Sequence, residues 1–325
     1  MLIGTELAAW LSDKDAQRRT QQRIDGFAQG WRQGPVHRRL DALFQGLADP
    51  NAEAVTEAVT TLFADDAWIG SLIDGLAEAL RHDPYLEPPF SALGSDIHSG
   101  LLIYENPSVA LSAGVTRADA LAAKKNVVRG RVSIGFTGQV SVLKFVASGD
   151  ALLSFWEAPR ISDGFTAAGA GSCRRTGERR IGDGEILVCD GRRQSYVIEQ
   201  ARSNLVLVQA TLKVEQAPLA VEYDAVTHEY VGCSSTSDVA SRIQMLTTLL
   251  RKLGHEQAFA AIAGFLDHRD FFVRWHVMRE LLGVDAMAAL PHLERMAEHD
   301  PHEDNRAAAS KVLALFPSVD QKKAA

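Results

Sequence analysis

The chain changes its hydrophobic period twice, and this restricts it to folds that join helices and strands in separate blocks. Up to His82 the apolar residues recur at helical spacing. From Ser99 to Thr227 they fall in short alternating runs separated by Gly and Asp. From Ser237 the 3.6-residue period returns. Segregated runs of this kind predict an α+β chain rather than a wound βαβ array. The strand-rich block contains no histidine; His98 and His228 stand just outside its two ends.

The first helical block spans 1–83. Leu7, Trp10 and Leu11 begin one apolar stripe, and Ile24, Phe27 and Trp31 continue another. Gly34-Pro35 and Asp49-Pro50 break the chain, and Asn51 and Asp65 or Asp66 stand where N-caps are expected. Residues 84–100 read as irregular. Strands are predicted at 100–105, 108–113, 127–136, 139–146, 151–157, 185–189, 196–199, 205–214 and 221–231, with a short helix over 116–125. Many short strands with Gly and Asp turns predict a sandwich or small barrel over 84–232. Residues 158–172 read as a long Gly/Ala/Ser-rich loop. A helical block follows over 237–317, and 318–325 reads as a polar tail.

Composition removes several function classes. The 325 residues are 46% hydrophobic and 23% charged, enough for two or three modest cores. No apolar run is long enough to span a bilayer. The first residues show no basic segment followed by an apolar one, so a cytoplasmic location is expected, with no membrane partner. The net charge of −7 argues against nucleic acid as a partner. Charge is uneven: residues 124–215 carry +5 and the remainder −12. Cys173, Cys189 and Cys233 are too few and too scattered for a disulfide framework or a CxxC metal knot. G-x-S-x-G, Walker A and G-x-G-x-x-G motifs are absent, and no cofactor is expected.

The stretch GDGEILVCDGRRQSYVIE, residues 182–199, resembles the second conserved motif of cupins. Gly182-Asp183-Gly184 matches its opening turn, 186–189 its strand, and Asp190-Gly191 its tight hairpin turn, which needs residues tolerant of positive φ. The metal-binding His of that motif would fall at Gln194 or Ser195, and the His-x-His pair of the first motif is missing. The resemblance therefore implies a cupin-like antiparallel barrel or sandwich without the usual metal histidines. His82, His98 and His228 are the alternative ligand set, since a facial triad needs two His and a carboxylate, and Glu87, Asp96 and Glu105 lie near in sequence.

In the last block DHRDFFVRWHVMRELL and EHDPHEDNRAAASKVL superpose at an offset of 32, with Arg274 on Arg306 and Leu281 on Leu313. Asp300-Pro301 with Asn305-Arg306 resembles the interhelical turn of HEAT repeats, including those related to phycobilin lyases. That resemblance implies paired stacking helices, tied by Asp270 with Arg274 and by Asp300 with Arg306, which cap or brace the barrel.

Arg174, Arg175, Arg179, Arg180, Arg192 and Arg193 fall within twenty residues. As paired strands the two segments would place guanidinium groups on one edge, suited to carboxylate or phosphate; a solvated, aggregation-resistant edge is the competing reading. Trp156 ends a strand beside the long loop, where an aromatic can line a barrel mouth. The expected site is Arg174, Arg175, Arg192, Arg193, Trp156 and Gln194. The expected function is non-catalytic: binding of a small anionic or peptide ligand, with a protein partner or a second copy held by the helical parts. The alternative is a metal-dependent cupin enzyme (dioxygenase, hydroxylase or isomerase) built on His82, His98 and His228.

Overall fold

The computed structural model describes residues 4–127, 133–162 and 164–316. The tail expected at 318–325 and part of the strand expected over 127–136 lie outside the described residues. The fold is α+β, as the block pattern predicts. Five helices come first: α1 (Thr5–Ser12), α2 (Lys14–Gln33), α3 (Pro35–Gln45), α4 (Ala52–Ala64) and α5 (Ala67–His82). The strand-rich stretch holds β1 (Ser91–Gly94), β2 (His98–Glu105), β3 (Val109–Thr116), α6 (Ala118–Val127), β4 (Ser133–Phe136), β5 (Val140–Ala147) and β6 (Leu152–Glu157). It continues with β7 (Arg174–Arg180), β8 (Ile186–Asp190), β9 (Gln194–Gln200), β10 (Leu205–Leu212), β11 (Leu219–Asp224) and β12 (Tyr230–Ser235). Five helices close the described chain: α7 (Asp238–Leu253), α8 (Ala258–Ala263), α9 (Phe271–Val284), α10 (Ala286–His299) and α11 (Glu303–Leu313).

The chain divides into two compact units. The first holds Met1–Val132, Gln139–Trp156 and Arg175–Gln216; the second holds Ser133–Gly138, Glu157–Arg174 and Ala217–Ala325.

In the first unit the helices start where side chains can satisfy orphan amides. Asp13 Oδ1 accepts from the Asp15 and Ala16 N–H groups at 2.9 Å, and Asn51 Oδ1 from Ala54 N–H at 2.9 Å. Pro35 opens α3, where a missing N–H costs nothing. A six-stranded sheet runs β1-β2-β3-β10-β5-β8, antiparallel at every junction. A three-stranded sheet runs β7-β6-β9. The large sheet is covered differently on its two faces. Val140, Val142, Val208, Ala210 and Leu212 pack with Leu40, Phe44, Val59, Leu62, Phe63 and Trp68 of the helices. Leu143, Phe145, Leu205 and Leu207, displaced by one residue along the same strands, pack with Leu153 and Phe155 of β6 and Tyr196 and Ile198 of β9. This double cover is why β5 reads as a nearly unbroken buried run. Lys144 lies on the helical face, buried, where its ammonium donates to the Phe63 carbonyl at 2.6 Å and pairs with Asp66.

In the second unit a three-stranded sheet runs β12-β11-β4. The single strand expected over 221–231 is in fact a hairpin. Asp224 Oδ1 accepts from the Val226 and Thr227 N–H groups at 2.7 and 2.8 Å, and His228 takes φ 62°; this Asx turn bends the chain where alternation alone showed none. Helices α7 to α11 share a core of Ala240, Ile262, Val273, Val277, Leu281, Leu293 and Ala309. Ser237 caps α7, and Gly254, at φ 62°, ends it. Arg274 forms a bidentate pair with Asp300, Nε to Oδ2 at 2.8 Å and Nη2 to Oδ1 at 2.7 Å, and both are buried. The tie expected between Asp270 and Arg274 thus runs from one helix pair to the next turn. Arg306 does not pair with the Asp300 carboxylate; its guanidinium donates to the Asp300 and Pro301 carbonyls at 2.7 and 3.1 Å.

Two strands escaped the sequence reading. β1 is exposed along its length, and β7, with the sequence RRTGERR, is exposed at all seven positions. Neither shows the half-buried alternation that announces a strand.

Candidate ligand-binding face

Register lays out the face of the large sheet that looks away from the helices. His98 pairs with Thr116, Gly100 with Gly114 and Leu102 with Ser112. On β10, Leu207 faces Gly114, Gln209 faces Ser112 and Thr211 faces Ala110. On β5, Phe145, Leu143 and Ser141 meet these in turn, and Leu187 and Cys189 of β8 complete the last two rows. One end of the face is apolar and closed by the small sheet. The other carries Ser112, Ser141, Cys189, Gln209 and Thr211, most of them half-buried. Gln209 donates to the Thr211 hydroxyl at 3.1 Å.

His98 lies across this face. Its Nδ1 is 3.1 Å from the Thr116 hydroxyl. A Cβ on Gly100 would stand 3.2 Å from its Nε2, and one on Gly114 only 2.9 Å from both Nε2 and Cε1. The same two Cβ atoms would stand 2.8 and 2.7 Å from the Ala113 and Ser99 carbonyl oxygens. Two facing glycines therefore give the imidazole its seat. Nε2 has no protein partner among the described residues and is left as a hydrogen-bonding group beside the polar rows.

The thiol and phenol of this region are held neutral. Burial pushes the Cys189 thiol up to about 12, with the Asp190 carboxylate adding to it. Burial likewise raises the Tyr196 phenol. A thiol so placed is a packing and weak hydrogen-bonding group, not a nucleophile.

The residues expected as a site do not gather. β7 pairs with β6, while Arg192 and Arg193 sit in the turn between β8 and β9, so the two arginine segments are not paired strands. Each arginine already stands beside a carboxylate, Arg192 and Arg193 sharing one. Arg174 meets Glu157 at 2.6 Å, Arg175 meets Glu178 at 2.5 Å, and Arg179 meets Glu185 at 2.6 Å. Arg180 meets Asp150 at 3.2 Å. Arg192 holds Asp190 with Nε at 2.7 Å and Nη2 at 3.1 Å and reaches the Glu215 carbonyl at 3.2 Å; Arg193 approaches Asp190 at 3.7 Å. Gln194 accepts from the Asp190 N–H at 3.2 Å and so closes the same turn. Trp156 points away from the face that Leu153 and Phe155 share; its indole N–H donates to Ser154, whose hydroxyl donates to Glu199.

The alternative metal set is His82, His98 and His228 with a carboxylate. Among the described residues no three His, Cys, Asp or Glu side chains come together as a ligand group. His82 ends α5 exposed and paired with Glu78 at 2.9 Å, and His228 serves the β11–β12 turn.

In the second unit a cavity of about 240 Å³ opens between α9 and α10, lined by Arg274, His292, Arg295, His299 and Asp300 among others. Its arginines are matched internally, Arg274 by Asp300 and Arg295 by Asp267 at 3.0 Å.

The sequence reading named His98 but missed Gly100, Gly114, Ser112, Gln209 and Thr211. Their signal is present as small and polar residues at alternate positions of strands whose other face is apolar.

Comparison with known proteins places HEAT repeats at residues 233–314. The strand-rich part is similar to cupin-domain proteins among the solved structures. Ectoine synthase from P. lautus shares 12% identity over 38% of this chain and 69% of its own, with a TM-score of 0.23. A cupin domain from Bordetella pertussis Tohama I shares 12% over 38% and 99%, also at 0.23. The EutQ protein of Clostridium difficile shares 10% over 38% and 79%, at 0.21. Likeness at this level says nothing of ligand or activity. No curated protein matches the sequence.

Proposed function

We propose that this chain is a non-catalytic binding module whose first unit takes a small ligand on the polar rows of the large sheet. The ligand class is a compact carboxylate or other small anion with an apolar body. Its charged or polar head would meet His98 Nε2, Gln209, Thr211 and Ser112, and its body would lie on the half-buried Leu102 and Leu187. The observation that carries this reading is the His98 imidazole seated on Gly100 and Gly114 with its Nε2 unpartnered. A sheet face that only packs fills such positions with branched apolar side chains. The arginines are assigned to solubility and turn closure, since a ligand there would have to displace an existing carboxylate from each. The HEAT repeats support a protein-interaction role for the second unit.

The test is a thermal-shift and calorimetric screen of small carboxylates, followed by NMR of the His98 ring. A binder should shift the His98 ring resonances, and Ser112→Phe, which fills the face, should abolish binding while the protein stays folded. Ligands that bind equally well to Ser112→Phe and His98→Gln, but not after replacement of Arg174, Arg175, Arg192 and Arg193 by Ser, would move the site to the arginine edge.

A further inference from the structure

We infer that α7 is a self-pairing surface, through which two copies of this chain associate antiparallel about a two-fold axis at Met245. One side of α7 is accounted for: Ala240 and Thr247 are buried, and Ile243 and Leu250 pack on the helical core. The opposite side is apolar and bare. Val239 is 64% exposed, Met245 64%, Leu246 53%, Leu249 48% and Leu253 70%. Single exposed apolar residues are ordinary, but these form a row. Val239, Leu246 and Leu253 recur every seven residues, with Arg242 and Leu249 in the intervening positions, which is the seam of a two-helix coiled coil. The first helix of a stacked repeat that ends in water normally presents a polar face instead.

The charges select the occupant. Asp238 and Lys252 flank the same side of the seam at its two ends, and both are exposed. Neither has an ion-pair partner among the described residues. The other cation at that end, Arg251, is already held by Glu280. In a parallel pair these two flanking positions would lie on opposite sides of the seam, so neither Asp238 nor Lys252 would meet an opposite charge. In the antiparallel pair Met245 lies midway, so each Asp238 meets the second copy's Lys252 and the contact is satisfied twice. The patch is its own complement, as an isologous two-fold interface requires. Arg242 can lay its stem along the second copy's Leu246 and keep its guanidinium in water.

The experiment is sedimentation of the full chain across the micromolar range. A reversible dimer is expected, with circular dichroism reporting the fold of each variant. Leu246→Glu should give monomer. Asp238→Lys alone and Lys252→Asp alone should each weaken association by up to about tenfold at low salt, and the double swap should restore it. Met245→Cys in a Cys233→Ser background should form a disulfide-linked dimer on mild oxidation. A wild-type chain that stays monomeric throughout overturns the inference. So does a dimer that survives Leu246→Glu, ignores the charge swaps and does not crosslink at Met245→Cys.

Discussion

The His98 imidazole rests where two side chains would otherwise be, and so a single methyl group tests its seat. Gly114→Ala would bring a Cβ within 2.9 Å of the ring and 2.7 Å of the Ser99 carbonyl. The carbonyl belongs to a paired strand and cannot retreat without distorting the ladder. We expect a loss of about 1–3 kcal/mol in denaturant unfolding, the range for overpacking a fixed site, together with a displaced His98 ring signal. Gly70→Ala, on α5, where a new Cβ has open space around it, should do neither and serves as the control. At this scale the sequence was only partly readable. His98 stood out because histidine is rare near the strands. Its glycine seat did not, because a cross-strand pairing between residues fourteen apart appears only once the register of β2 against β3 is known. The arginines misled for the complementary reason: their carboxylate partners Glu157, Glu178, Glu185 and Asp150 are visible in the sequence, but not their contacts.

Between elements, the Arg274–Asp300 bridge holds consecutive helix pairs at one distance. Burial works to raise the Asp300 carboxyl, but Arg274, the His302 N–H and Asn305 outweigh it and keep it below the usual carboxylate range. A depressed folded value means the stabilisation is complete above the unfolded value, about 3.9, and is lost as pH falls through the folded one. The protection of α9 and α11 amides, corrected for intrinsic exchange, should therefore fall on acidification below about pH 4. The Arg274→Leu variant leaves Asp300 buried without its cation, so it should lose about 3–5 kcal/mol at neutral pH. Equal exchange in wild type and variant would remove the bridge from the account. The helices themselves were legible from their 3.6-residue stripes and caps. The partner of Arg274 was not, because an offset of 32 shows that repeats exist without saying whether an arginine reaches back within its own turn or forward to the next.

For the molecule as a whole, the two units have separate cores, one around Val142 and Phe63 and one around Val277 and Leu281. Calorimetry should resolve two transitions, and Leu281→Ala, costing about 2–5 kcal/mol, should lower only one of them. A single transition that shifts as a unit would show the two cores to be cooperative. The helix–strand–helix order was readable from the change of period; the interleaving of the units was not, since it depends on which distant strands pair. The order of strands also bears on how the chain is made. β10 lies between β3 and β5 in the sheet but follows both in the sequence by some sixty residues or more. On the ribosome the β2–β3 hairpin and the β5–β8 pair must therefore wait as two half-sheets, each with an open inner edge rich in Val and Leu. That edge stays available to other nascent chains until Leu212 has emerged. Slow translation between 147 and 205 would lengthen that exposure, and dependence on a holding chaperone should fall within this window and end with the synthesis of β10.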